Sequence, residues 1–186
     1  MNERLGKMQE MGQAPWVDEL SREDIKNGGL QRMIDDGIVG ITSNPAIFQK
    51  AIGGSDLYDD QLQELARNTD DPKEMFWGIA GIDIQEACDV LAPVYEKSVG
   101  VDGFVSLEVQ PDIAYDIQAT IDEAAKLHDM VDRPNLFVKI PATLPGLVAI
   151  EEMISRGKSI NVTLIFSLER YREVARAYIR GIQRLV

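Results

Sequence analysis

The feature that most constrains this chain is alternation: from Trp16 to Val186, short apolar runs trade places with longer stretches of helical spacing. Strands separated by helices pair in parallel, through crossovers that cover both faces of the sheet. The pattern predicts strands within Pro15 to Leu20, Val39 to Thr42, Gly103 to Val109, Asn135 to Pro141 and Ser159 to Phe166. A short helix over residues 3–11 precedes them. Helix starts are marked between the strands. Ser21 opens a Ser-Arg-Glu-Asp capping box, with Asn27, Gly28 and Gly29 able to split the helix that runs to Asp36. Pro45 starts a short helix that Gly53 and Gly54 end, and Ser55 caps another through about Arg67. Asp71-Pro72 opens the longest, with Ile79, Ile82, Ala87, Val90, Leu91 and Val94 as apolar positions and Pro93 as a kink site. Pro111, Thr143 and Ser167 begin the remaining helices.

Two architectures accommodate this order: an open doubly wound sheet and a β/α barrel. No Gly-x-Gly-x-x-Gly follows a strand and no P-loop is present, which weakens the nucleotide-binding version of the open sheet. Asp18, Asn44, Glu108, Lys139 and Thr163 each fall in or just past the carboxyl-terminal half of a predicted strand. Barrel sites are assembled at that face from several strands. The expectation is one domain over 1–186, an α/β protein with a parallel β/α (TIM) barrel cut to about five β/α units. A full barrel takes about 250 residues, and this chain has 186.

Composition narrows the partners. A net charge of −12 leaves no basic surface for nucleic acid or anionic membrane. A phosphorylated substrate stays compatible, since it needs only a few local cations or helix N-termini. One cysteine, Cys88, allows no disulfide framework and no cysteine zinc site, and its helical position reads as core. The opening MNERLGKMQEMGQ lacks the apolar centre of a secretory signal, and no apolar run is long enough to span a bilayer, so a cytoplasmic location is expected. No His, Cys, Asp or Glu cluster has metal-ligand spacing. His128, late in a helix, is expected to have a surface or charge-complementing role.

Lys139 lies in NLFVKIPAT, between Val138 and Ile140. Burial disfavours the charged form of a lysine, and the neutral amine is a nucleophile towards carbonyls. Two readings stand: a Schiff-base lysine, or a strand-end lysine whose head snorkels to water. Glu108, in an apolar strand, suits a carboxyl that gives and takes protons, or is a solvated loop acid. Asp18 is an acid/base candidate or a loop carboxylate. Asn44 and Asn161 suit hydrogen bonding to substrate hydroxyls, although Asn44-Pro45 is also a helix-start signal. Thr163 shares a strand face with Asn161 by period two and suits holding a water, or simple packing.

Together these segments resemble the transaldolase family. GITSNPAIFQKAI (Gly40 to Ile52) is similar to its first signature and LFVKIPATLPGLVAIEEM (Leu136 to Met153) to its second. GFVSLEVQPDIAYD and INVTLIFSLERY are similar to its glutamate strand and its Asn-x-Thr strand. The resemblance runs from about Trp16 to Val186 and is that of an N-terminal part of a bacterial-type member. It implies a β/α barrel of the class I aldolase type, with no cofactor and no metal. The implied activity moves a dihydroxyacetone unit between sugar phosphates in the pentose phosphate pathway: sedoheptulose 7-phosphate and glyceraldehyde 3-phosphate give erythrose 4-phosphate and fructose 6-phosphate. It implies Lys139 as the Schiff-base residue, Glu108 with Thr163 and a water for proton transfer, Asp18 as acid/base, and Asn44 and Asn161 as holders of the dihydroxyacetone moiety. The family's phosphate-gripping serine and arginine have no match here, and Arg170, Arg172, Arg176 and Arg180 lie on a helix. Weak or absent activity of this chain alone is therefore expected, with self-association through unpaired barrel edges. The competing expectations are a lysine aldolase that cleaves fructose 6-phosphate, and a non-catalytic half-barrel interaction module.

Overall fold

The computed structural model describes residues 2–186. They form two compact units: residues 2–105 with Arg133–Asn135, and Ser106–Asp132 with Leu136–Val186.

The first unit contains α1 (Glu3–Glu10), β1 (Trp16–Val17), α2 (Arg22–Lys26), α3 (Gly29–Asp36), β2 (Gly40–Thr42), α4 (Pro45–Gly53), a 3-10 turn (Asp56–Tyr58), α5 (Asp59–Leu65) and α6 (Pro72–Lys97). It also holds the start of β3 (Phe104–Glu108), and its ladder runs β1-β2-β3. β1 and β2 are parallel, with Trp16 opposite Gly40 and Val17 opposite Ile41. The Trp16 indole occupies the space a Cβ on Gly40 would need, so this pairing requires glycine. β1 is shorter than the sequence suggests. Asp18 and Glu19 are exposed, and the chain leaves the sheet there to reach the Ser21 cap.

That cap forms as expected: the Ser21 side chain accepts from Asp24 N and donates to Asp24 Oδ2 at 2.6 Å. Gly28, at φ 76°, separates α2 from α3. Asn44 and Asp71 cap α4 and α6 by accepting from Ile47 N and Lys73 N. α6 is a single helix with Pro93 inside it, and it buries Ala80, Ile84, Ala87, Cys88 and Leu91. Its buried face differs from the predicted one at one turn: Ile82 is 42% exposed, while the neighbouring Asp83 is fully enclosed. Phe48 of α4 meets Phe76 of α6 edge-on at 5.8 Å, and Phe76 meets Trp77 at 4.8 Å.

The second unit takes the rest of β3, then α7 (Ile117–Val131), β4 (Leu136–Pro141), α8 (Leu144–Ser155), β5 (Ile160–Thr163) and α9 (Leu168–Leu185), with ladder order β3-β4-β5. β4 and β5 are parallel, with Lys139 opposite Asn161 and Pro141 opposite Thr163. Val109 N donates to Lys139 O at 3.1 Å. Leu107, Val109, Val138 and Ile140 are buried on one face, with Leu127, Ala149, Ile150 and Met153 completing the core from the helices. Pro111 opens only a 3-10 turn; α7 starts later, where Asp116 caps it by accepting from Ala119 N. β5 stops at Thr163 rather than running to Phe166. Leu164 turns left-handed at φ 61°, a conformation that cannot continue a strand, and Leu164 and Phe166 face outward. At the crossing of α9 over α8, Gly181 seats against Ile154, and Arg180 and Arg184 donate to Glu151 and Glu152, each at 2.6 Å. An apolar groove of about 330 Å³ runs along this side, lined by Ile160, Val162, Tyr171, Val174, Tyr178 and Ile179 among others. Among the described residues, no helix is long and apolar enough to cross a membrane.

Candidate active site

In the second unit the polar residues at the strand ends share one sheet face. Strand side chains alternate, so Ser106 and Glu108 of β3 point the same way, opposite Leu107 and Val109. The β4–β5 register places Lys139 beside Asn161, with Thr163 one pleat further along the same face. Lys139 Nζ lies 3.1 Å from Glu108 Oε2, and the two side chains are 10% and 19% exposed. Along the sequence Glu108 has apolar neighbours, Leu107 and Val109. The pleat instead turns its carboxylate towards the amine and the apolar residues towards the helices. Asn161 Nδ2 donates to Ser106 Oγ at 3.0 Å. Ser106 is fully buried and was not singled out in the sequence. Its place two residues before Glu108, on the same face, is the signal that would have found it.

Several polar groups on this face are unspent. Among the described residues, Asn161 Oδ1, the Thr163 hydroxyl and the second oxygen of Glu108 have no side-chain hydrogen-bond partner. The turn after β4 is tightly built. The Pro141 carbonyl sits where a Cβ on Gly146 would lie, and Thr143 Oγ1 donates to Ala114 O at 2.6 Å while accepting from Gly146 N at 2.9 Å. This elbow holds the loops after β3 and β4 together, just past Glu108 and Lys139. Beneath it, Gln110 N donates to Glu123 Oε1 at 2.6 Å.

The other two candidates belong to the first unit. Asp18 is exposed in the bend after β1 and lines a cleft of about 510 Å³ with Ser21, Lys50, Ser55 and Tyr58. Asn44 is half-buried, and its Oδ1 accepts from Ile47 N at 3.0 Å. Its helix-capping role is therefore occupied, while its amide nitrogen stays open among the described residues.

Four ionisable groups lie away from the strand ends: Arg22, Tyr58 and Asp83 in the first unit and His128 in the second. Arg22, 5% exposed, donates to Asp83 Oδ1 at 2.7 Å, to Gln61 Oε1 at 2.6 Å and to Leu57 O at 3.2 Å, and its guanidinium lies 4.3 Å from the Tyr58 ring centre. Tyr58 donates to Asp83 Oδ2 at 3.0 Å and accepts from Arg22 N. Burial pushes the Tyr58 phenol up to about 12 and raises the Asp83 carboxyl against the pull of Arg22. In the second unit, burial and then the Lys158 charge lower His128 to about 4. His128 is thus neutral at pH 7, not charge-complementing as its helix position suggested, and its Nε2 donates to Ser159 O at 3.1 Å, just before β5. Among the described residues, no group of three His, Cys, Asp or Glu side chains is placed to hold a metal ion.

Parallel strands that follow one another in chain order, separated by helices and carrying their ionisable groups at the carboxyl ends, define the class: an α/β protein of the β/α-barrel kind. The family described as Transaldolase/Fructose-6-phosphate aldolase matches residues 15–186, and the chain belongs to that family. It is 48% identical over 184 residues to a transaldolase of Parafrankia sp. (strain EAN1pec), covering 98% of this chain and 50% of that protein. It is 47% identical to the transaldolases of Frankia alni (100% of this chain, 50% of the relative) and Mycobacterium tuberculosis H37Rv (98% and 49%). The chain thus spans about half the length of the curated relatives it matches.

Proposed function

We propose that Lys139 is the Schiff-base nucleophile of a transaldolase reaction on sugar phosphates, transferring a dihydroxyacetone unit. The observation that carries this reading is the nearly enclosed Lys139 amine, 3.1 Å from the Glu108 carboxylate, on a strand face that also carries Asn161 and Thr163. The amine passes a proton to Glu108, and its lone pair attacks the ketose carbonyl carbon while the carbonyl π pair moves onto oxygen. The attacking nitrogen's extra proton passes to the alkoxide through a water held by Thr163, Glu108 then returns its proton to the resulting hydroxyl, and water leaves to form an iminium. Asp18 takes the proton of the C4 hydroxyl. The C3–C4 bond then breaks, its electron pair passes into an enamine on Lys139, and an aldehyde departs. Addition of an acceptor aldehyde runs the sequence backwards. Nothing is oxidised or reduced, so no cofactor is required. Asn44 and Asn161 hold the hydroxyls of the dihydroxyacetone unit. The roles of Asp18 and Asn44 rest on the family pattern of their motifs.

The test is intact mass and peptide mapping after incubation with fructose 6-phosphate and borohydride, which freezes an imine as a stable adduct. A ketose adduct on Lys139, lost in Lys139→Ala, is expected. A folded chain with no adduct, or an adduct elsewhere, overturns the reading. The family description joins transfer to cleavage, whereas the relatives above are all transaldolases, which favours transfer. Free dihydroxyacetone accumulating without an acceptor would reverse that preference. A second reading, a half-barrel that assembles with its own kind, draws on the apolar groove beside β5 and α9. Light scattering that gives one chain per particle at tens of micromolar would end it.

A further inference from the structure

Lys139 and Glu108 meet where the β3–β4 ladder runs out. β3 ends at Glu108, and the bond from Val109 N to Lys139 O at 3.1 Å is the rung beside the pair. Adjacent strands twist against each other and open first at their ends, so a pair on a terminal rung is held more firmly when the chains are tied beyond it. Thr143, half-buried just past β4, supplies such a tie. Its hydroxyl donates to Ala114 O at 2.6 Å, in the turn that follows β3, and accepts from Gly146 N at 2.9 Å in its own helix start. That turn is bonded within itself, Ile113 N to Gln110 O and Ala114 N to Pro111 O, so a hold on Ala114 reaches Gln110 and the end of β3. On the other side, Ala142 N donates to Thr163 O at 2.9 Å. The Ala142–Thr143 step therefore grips both neighbours of β4 beside the groups that handle protons.

We propose that Thr143 is a positioning residue: its hydroxyl straps the turn after β3 to the end of β4 and so keeps Glu108 at proton-transfer distance from Lys139. The inference rests on the Schiff-base reading of Lys139. Capping α8 uses only the acceptor side of the hydroxyl. The proton is surplus to that task, and it is the proton that crosses to Ala114 O. Side chains that cap without donating therefore separate the two roles. Aspartate caps a helix at least as well as threonine and, ionised, has no proton to give. Valine keeps the threonine shape and loses both bonds, and serine keeps both.

The experiment measures borohydride trapping on Lys139 with dihydroxyacetone, as maximal rate and half-saturating concentration, for the 186-residue chain and its variants, with unfolding in urea alongside. Thr143→Ser is expected within about twofold of wild type on both trapping readings. Thr143→Val and Thr143→Asp are expected to lower the maximal rate about fivefold and to leave half-saturation within about twofold, because proton transfer is disturbed and binding is not. Thr143→Asp should keep the wild-type urea midpoint, which separates slow trapping from loss of α8. Thr143→Val adds no charge, which separates it from an effect of the new carboxylate on the amine. In a Glu108→Gln background, Thr143→Val should have no further effect on the rate. Wild-type trapping by Thr143→Asp overturns the proposal, since capping is then the whole role. Thr143→Ser as slow as Thr143→Val overturns it too, as does an undiminished effect of Thr143→Val without the Glu108 carboxylate. Should Thr143→Val misfold, the contrast between the serine and aspartate variants decides. If the wild-type chain forms no Lys139 adduct, the Schiff-base reading falls and takes this one with it. Adducts that form at the wild-type rate in Thr143→Asp sink the strap alone.

Discussion

The Arg22–Asp83 pair of the first unit and the Lys139–Glu108 pair of the second are both ion pairs, the first sealed from water and the second partly open to it, and they differ in what surrounds them. Around Arg22 each guanidinium nitrogen is bonded: Asp83, Gln61 and Leu57 accept from it, the Tyr58 ring lies over it, and both Asp83 oxygens are bonded. The result ties α2, α5, α6 and the intervening 3-10 turn into one node. Around Lys139 the partner is the Glu108 carboxylate, and Asn161 and Thr163 beside it keep access to water. A buried ion pair is weak grounds for stability or for function by itself. The distinguishing mark is access to water: the Arg22 node is closed on all sides, while the Lys139 face stays open to solvent at Glu108, Asn161 and Thr163.

That contrast breaks most visibly at Asp83. Asp83→Ala strands the Arg22 charge in the core and is expected to cost about 3–5 kcal/mol in urea denaturation. A loss under 1 kcal/mol would mean that the node is not the anchor its bonding implies. Next in size is Gly146→Ala, which drives a methyl into the Pro141 carbonyl. The neighbour is backbone and cannot swing away, so a loss of about 1–3 kcal/mol is expected, with slower trapping on Lys139 as the elbow shifts.

His128 gives a pH-dependent effect. Its pKa falls from 6.5 to about 4 on folding, so below pH 6.5 the unfolded chain takes up a proton that the folded chain refuses. Stability from this group is complete above pH 6.5 and is lost as pH falls towards 4. The loss should be about 2 kcal/mol after allowing for the part exposure of the ring, and His128→Gln should flatten that stretch of the stability–pH curve. The smallest stability change is expected at the open site. Lys139→Met should shift the unfolding free energy by no more than about 1 kcal/mol, because Glu108 is near enough to water to relax, while all trapping is lost. Opposite signatures at Asp83 and Lys139 would sharpen the comparison, and a Lys139 variant as damaging as Asp83→Ala would erase it.

Much of the framework was legible because caps are local. Ser21, Asn44, Asp71, Thr143 and Ser167 each bond an amide two or three residues ahead, so a short window of sequence contains the whole interaction. Glu108, Lys139, Asn161 and Thr163 could be grouped because period two and parallel register fix faces. What escaped reading was non-local. Asp83 looks like a solvent-facing carboxylate beside Ile82 until Arg22, 61 residues away, arrives as its partner. Leu164 carries no residue-type signal for a left-handed turn, so β5 seemed to continue. His128 was misjudged because its partner is a backbone carbonyl, which no side-chain pattern reveals.

Cys88 extends the usefulness of this architecture. It is the chain's only cysteine, and it is sealed in the middle of α6 with its thiol pushed up to about 12 by burial. Thiolate, not thiol, reacts with disulfide reagents, so labelling must wait until α6 lifts from the core. The native chain therefore carries its own stopwatch for opening. The rate of modification at fixed reagent concentration reads how often that helix is unsheathed, without an introduced probe or a second site to confuse the signal.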